Sequence, residues 1–387
     1  MLKRLRRKTP LAWHQLMKQK TRLAVALAGI AFADILMFIQ MGMLESLYDS
    51  ATQPHRLLEA DLVLAHPQAK TMIDLPSFSR QRIYQAKGYE GVAAVSPVYV
   101  GLGSWRNPEN RRDEELLIFG VDSRQPAFTF LQESNQQQQI KLLSRGLFDR
   151  LSNDKFGPIE QLIQSQGEVT TEVNDKQFRA VGVFSMGASF GAEGNLVTNI
   201  PSFLTLFPER QANQVNIGVI QLQPEADVES VQAKLQAGLP TDVVVLTKSE
   251  FVGLERQYWS EGGTGFIFNL GAVVGFVVGT VIVYQILYTD VSDHLPEYAT
   301  LKAMGYSDRY LTQVLAQEIL VLAILGFIPG FFLSIGLYQL TYSVTALPVV
   351  MKTGRAMLVL FLTLVMCSGS GLIALGKLRS ADPADIF

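Results

Sequence analysis

Four long apolar runs, one near the amino end and three near the carboxyl end, leave few folds open to this chain; they cover residues 23–44, 263–288, 314–340 and 356–376. At about 1.5 Å per helical residue the first run spans roughly 33 Å, enough to cross a bilayer core of about 30 Å. Hydrocarbon offers no partner for an open backbone, so each run is expected to be a helix. A cleaved signal peptide is the alternative for the first run. Its apolar region is too long for that, and no small-x-small cleavage motif follows in ESLYDSATQP.

Orientation follows from the basic residues at the membrane ends. Lys3, Arg4, Arg6, Arg7, Lys8, Lys18, Lys20 and Arg22 precede the first span with no acidic residue among them. This basic segment, residues 1–22, is expected to stay in the cytoplasm. The loop 289–312 and the tail 377–387 are then cytoplasmic, and the short loop 341–355 lies outside. Lys352 and Arg355 in that outer loop oppose the assignment but are outnumbered. Residues 45–262 form one large outer insertion between the first and second spans. The fold class expected is therefore membrane α-helical, four transmembrane helices with a large α+β domain outside the membrane, inserted between the first and second, in a multi-pass protein with both termini cytoplasmic.

Within the insertion, ADLVLAHP, VAAVSPVYVGLGSW and ELLIFGVD have the β-branched and aromatic content of strands, punctuated by Pro, Gly and Asn. The stretch from Val215 reads as a split β-α-β unit: a strand, a turn at Pro224, a helix with Val228, Val231 and Leu235 on one face, and a strand after Pro240. The glutamine run Asn135 to Gln139 reads as a solvated linker, with an inserted subdomain at about 135–212. The Gly-rich stretch GASFGAEGN lacks the strand-loop-helix setting of a phosphate loop and is expected to be a flexible turn.

Chemistry is scarce. The chain has 33 basic and 35 acidic residues, a balance that argues against nucleic acid as a partner. Cys367 is the single cysteine, so there is no internal disulfide and no Cys-based metal site. His14, His55, His66 and His294 show neither an i, i+4 pair nor H-E-x-x-H. Gly371, Gly376 and Lys377 approximate a nucleotide loop, but Leu378 stands where a hydroxyl must hold magnesium, and the residues before it lie inside the fourth span. No G-x-S-x-G elbow occurs. The expectation is no catalytic residue, no metal and no cofactor in this chain, so any energy source must be another chain.

Two glycine stripes mark the spans: Gly271, Gly275 and Gly279 in the second, and Gly326 and Gly330, followed by Ser334, in the third, where Pro329 is expected to kink the helix. Such stripes let another backbone approach closely, and serve packing within the bundle or a homodimer seam equally well. Asp34 lies near mid-membrane, where an ionised carboxylate costs a few kcal/mol at least. No Lys or Arg lies within any span. Asp34 is therefore expected to be neutral or paired, hydrogen-bonded to a Ser, Thr or Tyr such as Thr280, Tyr284 or Ser368, with a proton relay as the other reading. Glu318, near the inner end of the third span, can reach the interface.

The segment LPEYATLKAMGYSDRYL, residues 295–311, leaves the membrane and re-enters at once. Pro296 and Glu297 suit a first helical turn, Gly305 a left-handed stop and Ser307 the next cap. Tyr298, Leu301 and Met304 give this short helix an apolar edge, to bury against a cytoplasmic partner or the membrane surface.

That segment, with the following TQVLAQEIL, resembles the coupling-helix region of the MacB/FtsX superfamily of ABC-transporter permeases, and RSADPADIF resembles its closing Arg-x-x-Asp-Pro-Ala pattern. GIAFADILMFIQMGML and LKAMGYSDRYL are similar to the DevC-type permeases of cyanobacteria. The resemblance implies a homodimeric, mechanotransmission (type VII) permease of the bacterial inner membrane, its α+β domain periplasmic, with a separate ABC ATPase that binds ATP and Mg. Glu297, Tyr298, Leu301, Lys302, Met304 and Gly305 would form the ATPase contact. It implies a porter-like ectodomain with an inserted subdomain, a periplasmic membrane-fusion adaptor, a TolC-like outer-membrane duct, and envelope glycolipid or another amphiphile as cargo. An FtsX-like signalling permease controlling a cell-wall hydrolase, or a membrane-anchored ectodomain enzyme, are the competing readings.

Overall fold

The computed structural model describes residues 20–132, 134–293, 296, 300, 304 and 307–380. The chain divides into two compact units, a bundle (1–44, 266–340 and 349–387) and an outer domain (45–265 with 341–348).

In the bundle, four helices are long and apolar enough to cross a membrane: α1 (Lys20–Leu57), α8 (Gly263–Asp293), α9 (Asp308–Thr345) and α10 (Thr353–Ser380). α1 and α8 outrun their apolar stretches chiefly at the carboxyl end, and α9 does so at both ends. Hydropathy marks where hydrocarbon ends, whereas the helical ladder stops only where a residue breaks it. On α1 the extension keeps Leu47 and Ala51 buried on one face, one turn apart, and Pro54 enters only near its end. On α9, Ala346 takes a left-handed conformation (φ 56°) and its N–H returns to Tyr342 O, with Pro348 beyond.

The outer domain is built on a nine-stranded sheet of order β11-β1-β10-β3-β4-β8-β5-β7-β6. The strands are β1 (Leu62–Ala65), β3 (Val92–Arg106), β4 (Asp113–Val121), β5 (Arg145–Asp149), β6 (Val169–Val173), β7 (Lys176–Phe184), β8 (Asn195–Asn199), β10 (Ile217–Leu222) and β11 (Val244–Thr247). Two short strands, β2 (Phe78–Ser79) and β9 (Gln214–Val215), pair separately. The helices are α2 (Gln81–Lys87), α3 (Ser134–Gln139), α4 (Ile159–Gln166), α5 (Ile200–Leu206), α6 (Val228–Gly238) and α7 (Lys248–Glu261).

The split β-α-β unit forms as the pattern predicts. β1 inserts antiparallel between β10 and β11, and α6 covers them with Val231 and Leu235 buried. Asp227 caps α6 by accepting from Ser230 N at 2.9 Å.

The region 135–212 is not a separate subdomain joined by a linker. The glutamine run is helix α3, and β5 to β8 continue the same sheet. Residues 92–98 of β3 pair with β10, residues 98–106 pair with β4, and Trp105 also meets Val173 of β6. That last bridge closes β3-β4-β8-β5-β7-β6 into a barrel, leaving no edge in that part of the sheet. Trp105 fills it, its ring 4.9 Å from Phe148 and its Nε1 donating to Phe156 O at 3.2 Å. The β6–β7 turn uses Asn174 and Asp175, both left-handed (φ 48° and 58°), the chemistry of a tight two-residue hairpin.

The Gly-rich stretch is likewise anchored rather than loose. Buried Asp149, at the end of β5, accepts from Leu151 N at 3.1 Å, Met186 N at 3.0 Å, Gly187 N at 2.7 Å and Asn195 Nδ2 at 2.8 Å. Burial pushes this carboxyl above its ordinary value, and the four donors pull it back.

Candidate functional site

Glu297, Tyr298, Leu301, Lys302 and Gly305 of the expected coupling segment lie outside the described residues, as do residues 1–19 and 381–387. Met304 is described: its side chain is 63% exposed, and its N–H donates to Thr300 O at 3.0 Å, one helical turn back. Thr300 Oγ1 in turn donates to Pro296 O at 2.9 Å.

At the inner end of the bundle, Arg22 pairs with Asp293 and, at 3.7 Å, with Asp290. Both aspartates lie in the last turn of α8. Glu318 of α9 is 2% exposed, so it is buried in the bundle, where a structural role was expected, and does not reach out to the interface.

Both glycine stripes face the first span of their own chain. A Cβ on Gly275 would stand 3.1 Å from Leu36 Cβ, one on Gly326 2.6 Å from Ile30 Cγ2, and one on Gly330 2.9 Å from Asp34 Cβ. Gly271 meets Gln40, and Gly279 meets Ala33 together with Met366 of α10. The first span thus lies between the second and third at backbone distance, which only side-chain-free positions permit. A dimer contact would have to use other faces.

Asp34 is 0% exposed, and Thr363 Oγ1 of α10 lies 2.6 Å from its Oδ1. The partner is a hydroxyl side chain, as expected, but it is none of the three named examples. Thr280 Oγ1 donates to Phe276 O, the Tyr284 ring packs 5.6 Å from that of Tyr288 at a tilt of 46°, and Ser368 is exposed. Counting depth would have found Thr363: Asp34 lies about 18 Å above Arg22, Thr363 about 20 Å and Ser368 about 12 Å above the inner end of the fourth apolar run.

At the outer end, the Tyr338 hydroxyl donates to Phe38 O, and Arg355 Nη1 lies 2.9 Å from that hydroxyl and 3.2 Å from Val350 O. Arg355, read from sequence as an outer-loop charge, is buried.

In the outer domain, α1 ends against α7, the helix that leads to the second span. Glu255 of α7 is 2% exposed. Its carboxyl accepts from Thr71 Oγ1 at 2.9 Å, Met72 N at 2.7 Å and Trp259 Nε1 at 2.7 Å, with His55 Nε2 of α1 at 3.4 Å. The His55 ring packs 4.4 Å from Phe251. Burial pushes Glu255 above the usual carboxylate range against the pull of those donors. Sequence reading missed this node, because its members are about 180 residues apart and singly unremarkable. Among the described residues no group of His, Cys, Asp and Glu could hold a metal ion.

Comparison with known proteins gives two family matches: residues 23–237 to the MacB-like periplasmic core domain and residues 269–383 to the FtsX-like permease C-terminal region. An uncharacterized ABC transporter permease of Mycobacterium tuberculosis, found in two strains, is 24% identical over 218 residues, 56% of this chain. That match covers 57% of the relative, so the chain spans little more than half the length of the curated proteins it resembles. Among solved structures, the periplasmic region of MacB from Actinobacillus actinomycetemcomitans aligns with 51% of this chain and 92% of its own, at 11% identity and TM-score 0.36. The extracellular domain of the ABC-type transporter YknZ from Gram-positive bacteria aligns with 48% and 99%, at 16% identity and TM-score 0.33. Since the first family match takes in more than half of the sequence and the second the three spans that follow, the chain belongs to the MacB/FtsX-like family of ABC transporter permeases.

Proposed function

We propose that this chain is the inner-membrane permease subunit of a homodimeric, ATP-driven machine that works by mechanotransmission, with ATP hydrolysed by a separate subunit. The observation that carries the reading is α1. It is one unbroken helix from Lys20 to Leu57, held at its inner end by Arg22, at mid-membrane by Asp34, at the outer end through Phe38 O, and in the outer domain by His55. A continuous helix carries displacement along its axis, and Pro54 removes a single N–H only in the last turn of α1. The segment of Glu297, Tyr298, Leu301, Lys302, Met304 and Gly305 would receive the push of the ATPase, at the foot of α8 where Arg22 braces Asp290 and Asp293.

The finer reading extends the DevC resemblance: a periplasmic adaptor, a TolC-like outer-membrane duct reached through it, and envelope glycolipid or another amphiphile as cargo. Both termini would be cytoplasmic. Glu297→Lys combined with Leu301→Asp is expected to leave the protein in the membrane but abolish coupling between partner ATPase and export; export at the normal rate removes the docking assignment. Copurification of full-length protein from membranes is expected to recover an ATPase together with an adaptor and duct. Recovery of a cell-wall hydrolase instead would replace export by signalling.

A further inference from the structure

Asp34 has no part in docking or in the ion pairs at the bundle ends, yet it is fully buried between three spans. Thr363 Oγ1 lies 2.6 Å from Asp34 Oδ1 and 2.8 Å from Val359 O, one turn back on α10. A hydroxyl carries a single proton. Both contacts are hydrogen bonds only when the carboxyl supplies a proton of its own: Asp34 donates to Thr363, and Thr363 donates to Val359. In the other arrangement Thr363 turns its proton away from Val359 and becomes the lone donor to a charged carboxylate, because Asp34 Oδ2 has no partner. Such a charge in hydrocarbon is expensive, and among the described residues no cation pairs with it.

The rest of the surroundings are apolar or backbone. Gly330 brings the third span against the Asp34 Cβ, and Gly279 brings the second against neighbouring Ala33. The titratable group beside this site is Cys367, one turn from Thr363 and buried, a thiol that brings no positive charge.

We propose that Asp34 is a proton-binding group of the bundle, held as the neutral acid and donating to Thr363, so that one proton latches the first span to the fourth at mid-membrane. The latch stands whether or not residues 295–311 dock an ATPase. Once the proton leaves, the same geometry confines a carboxylate with one donor in hydrocarbon, and the two spans are favoured to part until water or another donor reaches it.

The test is infrared difference spectroscopy of full-length protein in phosphatidylcholine vesicles at neutral pH, wild type against Asp34→Asn. The expected result is a protonated-carboxyl C=O stretch in the wild type that disappears in the variant and shifts in D2O. Loss of a carboxylate stretch instead overturns the proposal. Thr363→Val gives a second reading that does not require the Asp34 variant to assemble. A shift of the acid band toward that of a weakly bonded carboxyl supports the latch. An acid band unmoved by Thr363→Val, or a carboxylate band that moves in its place, overturns it.

Discussion

Asp149 in the outer domain and Asp34 in the bundle are both fully buried aspartates, yet the first accepts from three backbone N–H groups and a side-chain amide while the second has only the Thr363 hydroxyl. The difference lies in where spare donors exist. A loop such as 185–195 has backbone N–H groups unclaimed by secondary structure and can fold them around an anion. A transmembrane helix has spent its N–H groups on carbonyls four residues back, so only side chains can answer a buried acid. Glu255 fits the rule from the water-exposed side: loop residues 71–72 supply two of its donors, one of them a backbone N–H.

The contrast can be broken most directly at Asp149. Asp149→Ala removes the shared acceptor of three backbone N–H groups and of the Asn195 amide, which keeps only Gly187 O, and is expected to destabilise the outer domain by about 3 kcal/mol. The change would appear as a lower melting transition of full-length protein in detergent, and an unchanged transition would show that the loop closes without its anion. In the bundle the matching weakness is close packing rather than polar satisfaction. Gly326→Leu drives a side chain into Ile30 and is expected to cost about 1–3 kcal/mol, read from melting of the same preparation.

Glu255 sharpens the comparison through pH. Its carboxyl is raised in the folded state, so its favourable contribution is complete below the ordinary glutamate value of 4.5 and is lost as pH rises through the raised value. The stability difference between wild type and Glu255→Gln is therefore expected to shrink from acid pH toward neutrality. A difference that grows with pH would mean that the donors outweigh burial. Glu250, on the same helix but exposed, has the opposite sign: the capping-box bonds with Thr247 hold its carboxyl below its ordinary value, so its contribution fades as pH falls. Thr247→Ala should cost about 1 kcal/mol, the smallest effect of the series, measured by the same melting experiment.

The four spans and the split β-α-β unit were legible because each is written in local periodicity: unbroken apolar runs for the first, and a strand, a helix face and a strand within 33 successive positions, 215–247, for the second. The barrel was not, because its closure depends on Trp105 meeting Val173 and on β4 pairing with β8, contacts that no window of sequence contains. Likewise Asp34 announced itself as a buried acid, but its partner depended on the depth and rotation of a helix more than three hundred residues away. Glu255 and His55 sent no signal, since a single acid and a single histidine in polar stretches look like solvated surface. The glutamine run misled for a related reason: composition describes solvation of one face, and α3 needs only its other face to pack.

β3 belongs to both halves of the outer domain, pairing with β10 up to Val98 and with β4 from Val98 onward. No hinge residue separates the two ladders, since Val98 takes part in each. β10 is bonded along one edge of β3 and β4 along the other, so a push delivered beside β10 passes to the barrel through the backbone of β3 itself.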